Sequence, residues 1–123
     1  MRTRIYFGPS LAVGPGRIEL LERVHRTGSL AQAARGMAMS YRRAWLLMQS
    51  LNDSLCSPAS VAARGGRRGG GATVTATGLA LIQVYRRMEA KATREAKLRF
   101  AKFARSQPAA RRPAVSAQAT SRR

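Results

Sequence analysis

Two helix boundaries set close together, at Thr27-Gly28-Ser29 and at Met39-Ser40, constrain this chain more than any other feature. Glycine tolerates the left-handed conformation that a helix stop requires, so Thr27-Gly28 ends whatever helix precedes it. Ser29 starts the next one. The spacing Ser29-x-x-Gln32 suits a capping box, in which hydroxyl and side-chain amide each satisfy a free backbone N–H. Gly36 weakens this short helix, which is predicted to end by Met39. Its inward candidates are Leu30, Ala33 and Ala34, and the small alanines allow another helix to approach closely. Ser40 is the cap candidate for a further helix over about Tyr41 to Ser54. A short helix joined by a tight turn to a longer one, which opens on bulky basic groups, is a helix-turn-helix arrangement.

The flanking segments complete a small fold. Ile5-Tyr6-Phe7 is a short apolar run before Gly8-Pro9 and predicts a strand. Pro15 suits an early helix position. Ile18, Leu21 and Val24 recur every three residues, with Leu20 adjoining, and predict a helix over Arg17 to Arg26. In the segment after Ser40 the apolar face runs Ala44, Trp45, Met48 and Leu51, so Trp45 reads as core. Arg42, Arg43 and Gln49 are left for other faces. Ser57-Pro58 breaks the pattern. Val61 to Arg64 and Ala72 to Thr75 flank a glycine run and predict a two-stranded ribbon with a mobile basic tip. Thr75 or Thr77 then caps a long helix. Its stripe runs Leu81, Tyr85, Met88, Ala92, Ala96, Phe100 and Phe103, and Glu95 can pair with Arg99 one turn on. Beyond Ser106 the chain is rich in Pro, Ala, Ser and Arg and predicts a disordered basic tail. The fold class is therefore mainly α with a small β wing. The helix-turn-helix, the ribbon and the long C-terminal helix, whose overhang either pairs with another chain or frays, cover residues 1–105, and the tail covers 106–123.

Charge narrows the function. Lys and Arg number 23 against 5 Asp and Glu, a formal net charge of +18. Such an excess repels itself unless a polyanion or salt screens it. Nucleic acid is the leading partner, because basic side chains release condensed counterions on binding phosphates. A membrane is the weaker candidate: no run of about 18 apolar residues exists. The N-terminus has no charged-then-apolar signal pattern. A cytoplasmic, nucleoid-associated location is expected. Cys56 is the only cysteine, which excludes an internal disulfide and reads as a small, partly buried residue. His25 stands without ligand partners, so no metal or other cofactor is expected. The few carboxylates are dispersed, Glu19 and Glu22 read as surface charge, and no nucleophile–base set is visible. An enzyme is rejected.

Particular residues carry the binding expectation. Arg42 and Arg43 offer bidentate contact with a guanine edge or charge for phosphates, against the plainer reading of a solvated face. Arg64, Arg67 and Arg68 on the glycine-rich wing can meet the backbone or minor groove, against a mere flexible loop. Ser29 and Ser40 are caps that can also bring a phosphate to a helix N-terminus. Tyr41 can bond a phosphate or join the core.

These residues also carry a resemblance. Gly16-Arg17-Ile18, Thr27-Gly28-Ser29-Leu30, Ala33-Ala34, Met39-Ser40-Tyr41-Arg42, Ala44-Trp45 and Leu51-Asn52 follow one another in order. Arg64-Gly65-Gly66, Gly69-Gly70-Gly71-Ala72, Val74-Thr75 and Gly78 complete the pattern. Over roughly Ile5 to Glu89 the chain resembles the N-terminal winged helix-turn-helix domain of the molybdate-responsive ModE-type regulators, and more distantly the LysR-type DNA-binding domain. The resemblance implies a dimer on double-stranded DNA, with Ser40 to Arg43 opening the recognition helix and Arg67 and Arg68 on the wing. Leu81, Tyr85 and Met88 are the expected pairing residues. A basic tail follows the long helix where such regulators carry molybdate-binding modules, so no molybdate binding is expected. Two other classes remain open: an RNA- or nucleoid-binding basic protein without operator specificity, and an adaptor that uses the long helix on a partner or an anionic surface.

Overall fold

Pro15 sets the start of the first long helix, because its missing N–H is one that a helix leaves unbonded in any case. In the computed structural model, which describes residues 4–6, 12–63 and 71–105, α1 runs Pro15–Thr27. It stops at Gly28, at φ 71°, whose N–H reaches Val24 O at 2.8 Å. Then follow α2 (Leu30–Gly36) and α3 (Tyr41–Ser54). Both serines cap as expected: Ser29 Oγ accepts from Gln32 N and Ser40 Oγ from Arg43 N, each at 3.1 Å. The capping box is only half made. Ser29 N donates to Thr27 Oγ1 at 3.2 Å, the role expected of the Gln32 amide. At the end of α2 the N–H groups of Met37 and Met39 both turn back to Ala34 O, at 3.0 Å. That turn holds Ala38 at φ 56°, a left-handed conformation reached two residues after the glycine.

The three helices close on one core. Ile18, Leu20, Leu21 and Val24 from α1 are fully covered by Leu30, Ala33 and Ala34 from α2 and by Ala44, Met48 and Leu51 from α3. Burying each large apolar side chain contributes about 1.5–3 kcal/mol. Two short antiparallel sheets frame it. β1 (Ile5–Tyr6) pairs with β2 (Ala12–Val13), a partner that the sequence pattern does not reveal. β3 (Ser60–Ala62) pairs with β4 (Ala72–Val74) in the register 60↔74, 61↔73, 62↔72. This is the expected ribbon. Its tip, with Arg64, Arg67 and Arg68, lies outside the described residues, as does the 106–123 tail.

A single side chain fastens the ribbon to α3. Asn52 Oδ1 accepts from Ala59 N at 2.8 Å and Ser60 N at 3.3 Å, while its Nδ2 donates to Ser60 O at 3.1 Å. The backbone there is buried, so unpaired groups are costly. Asn52→Ala is expected to lower unfolding free energy by about 1–3 kcal/mol, measurable by urea denaturation. The other end of the ribbon meets the α1–α2 turn, where Ala72 N donates to Gly28 O at 3.0 Å.

Thr75, one of the two expected caps, begins α4 (Ala76–Phe100). Its Oγ1 accepts from Gly78 N at 3.1 Å and donates to Pro58 O at 2.6 Å. Arg86 ties α4 to α1: it grips Glu22 through Nε (2.9 Å) and Nη2 (2.8 Å) and reaches Glu89 at 2.7 Å. These bonds, Glu22 first, raise the Arg86 pKa above its ordinary value against the cost of burial. A raised cationic pKa gives stability that is fully present below the ordinary value and is lost as the pH rises from there through the folded one. The pair is therefore indifferent to pH in the neutral range and sensitive to salt. Arg86→Ala is expected to cost about 1 kcal/mol, since the group is partly solvated, with a melting shift that shrinks in high salt.

Packing divides the chain into Met1–Thr93 and Arg94–Arg123. In the second unit α4 ends at Phe100 and a 3₁₀ turn covers Ala101–Phe103. Glu95 pairs with Arg99 as expected. Phe100 and Phe103 rings stand 6.4 Å apart, and both are exposed.

Tyr85 as a pairing residue and Cys56 as a partly buried one need correction. The apolar stripe of α4 joins the core only near its start: Tyr85 is 3% exposed, Leu81 and Met88 are partly covered, and the later aromatics are not. Tyr85 is thus held by its own protomer's core and offers no surface for pairing. Cys56 is exposed, because it falls in the surface turn between α3 and Pro58.

Candidate nucleic-acid interface

The helix spacing of α3 sorts its residues. An α-helix turns about 100° per residue, and Ala44, Met48 and Leu51 point inward. Tyr41, Trp45 and Asn52 then share the flank toward the ribbon, while Arg43 and Ser50 share the flank toward α1. Arg42 lies on the outward side. Trp45 is therefore not the core residue that its apolar neighbours predict: it is 46% exposed. It sits one position past the buried Ala44, at the margin of the apolar stripe, and its ring stands with Tyr41 and Val61 in a recess of about 300 Å³ between α3 and the ribbon. Tyr41 is 50% exposed and so is not a core residue.

Arg42 and Arg43 are exposed in the first turn of α3, beside the Ser40 cap. The unbonded N–H groups of that turn and the helix dipole add to their positive field. Sequence reasoning missed a third contributor. Arg17 of α1 reaches across to α3, where its Nη2 donates to Ser50 Oγ at 3.0 Å, and it lines one open recess with Ser40, Arg42, Arg43 and Leu46. Burial, and then the charge of Arg4, hold its pKa below the ordinary value; a guanidinium still stays charged. No apolar periodicity marks Arg17, because it is a charged residue on the core-facing side of α1, partly buried beside Ile18, and it meets α3 only through the fold.

Acid is placed elsewhere. Glu19 pairs with Arg23, Glu22 and Glu89 with Arg86, and Glu95 with Arg99. Among the described residues neither Arg42 nor Arg43 has an ion-pair partner, and Asp53, in the last turn of α3, is the one remaining carboxylate. Ser29 caps α2 and bridges to Gly71, next to Ala72 at the loop end of the ribbon. The structure thus brings Ser40, Arg42 and Arg43 to one open recess at the start of α3, with Tyr41 on the ribbon flank of the same turn. Among the described residues, no helix is long and apolar enough to cross a membrane, and no cluster of three His, Cys, Asp or Glu is arranged to hold a metal. His25 is exposed.

A short helix, a tight turn, a longer helix opening on arginines, and an antiparallel ribbon fastened beside it define a winged helix-turn-helix protein. Comparison with known proteins narrows this further. The chain is 44% identical over 78 residues to the molybdenum-pterin-binding protein MopB of Rhodobacter capsulatus, covering 63% of this chain and 29% of that protein. It is 37% identical over 78 residues to the molybdenum transport protein ModE of Azotobacter vinelandii, covering 63% of this chain and 29% of that protein. It is 37% identical over 75 residues to the DNA-binding transcriptional dual regulator ModE of Escherichia coli K12, covering 61% and 29% respectively. No family model matches the sequence. The chain is related to the N-terminal region of the ModE and Mop proteins, in agreement with the resemblance carried by its motifs. It spans 29% of the length of these curated relatives.

Proposed function

We propose that this chain is a sequence-specific, non-enzymatic transcription regulator that binds double-stranded DNA as a homodimer at the nucleoid, in the cytoplasm. α3 enters the major groove with Arg42 and Arg43 leading. The ribbon tip, bearing Arg64, Arg67 and Arg68, follows the adjoining minor groove or backbone, and Ser29, Ser40 and Tyr41 meet phosphates. The observation that carries this reading is the uncompensated charge at the start of α3, set beside a cap and a ribbon. The relatives that are named transcriptional regulators favour it over an RNA-binding or adaptor role. Two copies pair along α4, where Leu81 and Met88 are only partly covered; Tyr85 is withdrawn from that role.

Selection of bound fragments from a random duplex pool tests the reading. The expected product is a two-fold symmetric site with half-sites about 10 base pairs apart or a multiple of that. Removing residues 106–123, which carry Arg111, Arg112, Arg122 and Arg123, is expected to weaken selected and random duplex alike, because phosphate contacts carry no sequence information. No enriched sequence, or stronger binding to structured RNA in competition, would contradict the proposal. Binding is proposed to need no molybdate: adding it is expected to leave affinity unchanged, and a shift would overturn that part alone.

A further inference from the structure

The outward ridge of α3 holds more chemistry than its arginines. Opposite the buried Ala44, Met48 and Leu51, the helical repeat aligns Arg42, Leu46, Gln49 and Asp53, all exposed. Leu46 stands one turn after Arg42, is 48% exposed and shares a recess with Arg17, Arg42 and Arg43. Gln49 follows on the other side, lining the recess next to the ribbon. The ridge therefore offers a guanidinium, a branched apolar group and a primary amide in order, with the Asp53 carboxylate closing its far end against phosphates. A lone surface leucine needs no explanation on an ordinary surface. This one is set between two hydrogen-bonding side chains on the part of the helix that a groove would receive.

Each of the three has a complement on the major-groove edge. Guanidinium pairs with guanine O6 and N7, a primary amide with adenine N6 and N7, and an apolar group packs on the thymine C5-methyl. From Arg42 to Gln49 the helix rises about 10 Å at 1.5 Å per residue, which matches about three base-pair steps of 3.4 Å. We infer that this ridge reads a guanine and, within about three base pairs of it, an adenine–thymine pair, with Arg42 on the guanine, Gln49 on the adenine and Leu46 on the thymine methyl. The inference rests on the proposed entry of α3 into the major groove and specifies what that helix recognises there.

The test uses the full chain and a duplex selected from a random pool. Each thymine is replaced in turn by deoxyuridine, which removes only the C5-methyl. At one position per half-site the wild-type chain is expected to bind about four-fold more weakly, the equivalent of one buried methyl. Leu46→Ala is expected to bind the thymine and uracil duplexes equally there. Replacing the partner adenine by 7-deazaadenine is expected to weaken the wild type and leave Gln49→Ala unchanged. Both side chains are exposed, so both variants are expected to melt with the wild type. Wild-type indifference to every uracil, with preference for the selected duplex intact, overturns the inference and leaves the proposed function standing. Undiminished uracil sensitivity in Leu46→Ala overturns the Leu46 assignment. Absence of any preference for the selected duplex overturns both readings.

Discussion

Arg42→Ala is expected to weaken binding to the selected duplex by roughly 10- to 100-fold while changing affinity for random duplex only a few-fold. A good bidentate arginine–guanine contact gives about 1–3 kcal/mol of discrimination, and each 1.4 kcal/mol is a factor of ten. Arg42 lies on the outward side of α3, where a base edge would be met. Arg43 lies on the flank facing Arg17 and Ser50, where a phosphate is the more natural partner. Arg43→Ala is therefore expected to weaken selected and random duplex alike and to flatten the log–log salt dependence by about one unit. Both side chains are solvated, so neither change should move the melting temperature by more than the usual surface effect of about 0.5 kcal/mol. Titrations at several salt concentrations separate the two. Identical behaviour of the two variants on both duplexes would remove the distinction between reading and anchoring.

Gly78→Ala is expected to be the most damaging single methyl group in the fold. A Cβ there would be driven into the carbonyl oxygen of Ala59 and would stand 2.7 Å from Val74 Cγ1. The carbonyl cannot swing away freely, since it accepts from Thr75 N at 2.9 Å and Ala59 is fully buried. α4 would have to leave the ribbon, or the ribbon would have to leave Asn52. Overpacking of this kind costs about 3 kcal/mol, the upper part of its usual range, which lowers the melting temperature by roughly 10–20 °C for a domain of this size. Gly16→Ala supplies the control. Nothing lies within 4 Å of a Cβ at that position, and alanine is the better helix former by up to about 1 kcal/mol. Thermal melts of the two variants are expected to move in opposite directions. Equal melting of Gly78→Ala and wild type would refute the close approach of α4 to Ala59 and β4.

The helices were legible because their ends are written in local chemistry. Ser29, Ser40, Thr75 and Gly28 act on backbone groups within a few residues, so their roles survive without knowledge of the fold. The ribbon was legible from β-branched residues around a glycine run. What escaped depends on distant neighbours. Trp45 looks apolar and adjoins buried residues, but whether its flank is covered depends on where the ribbon ends. Tyr85 fits an exposed stripe as well as a core position, and only the approach of α4 to α1 decides. Arg17 joins the α3 face through a contact 33 residues away in sequence. β2 is too short to announce itself.

Modification of guanine N7 bears most directly on the claim that the amino end of α3 reads base pairs from the major groove. N7 faces that groove alone, and it is one of the two atoms a bidentate arginine takes. Substituting 7-deazaguanine at each guanine of the selected duplex should locate one position per half-site where wild-type affinity falls by about ten-fold and Arg42→Ala affinity does not change. Wild-type affinity that is the same for every substituted duplex would contradict the account.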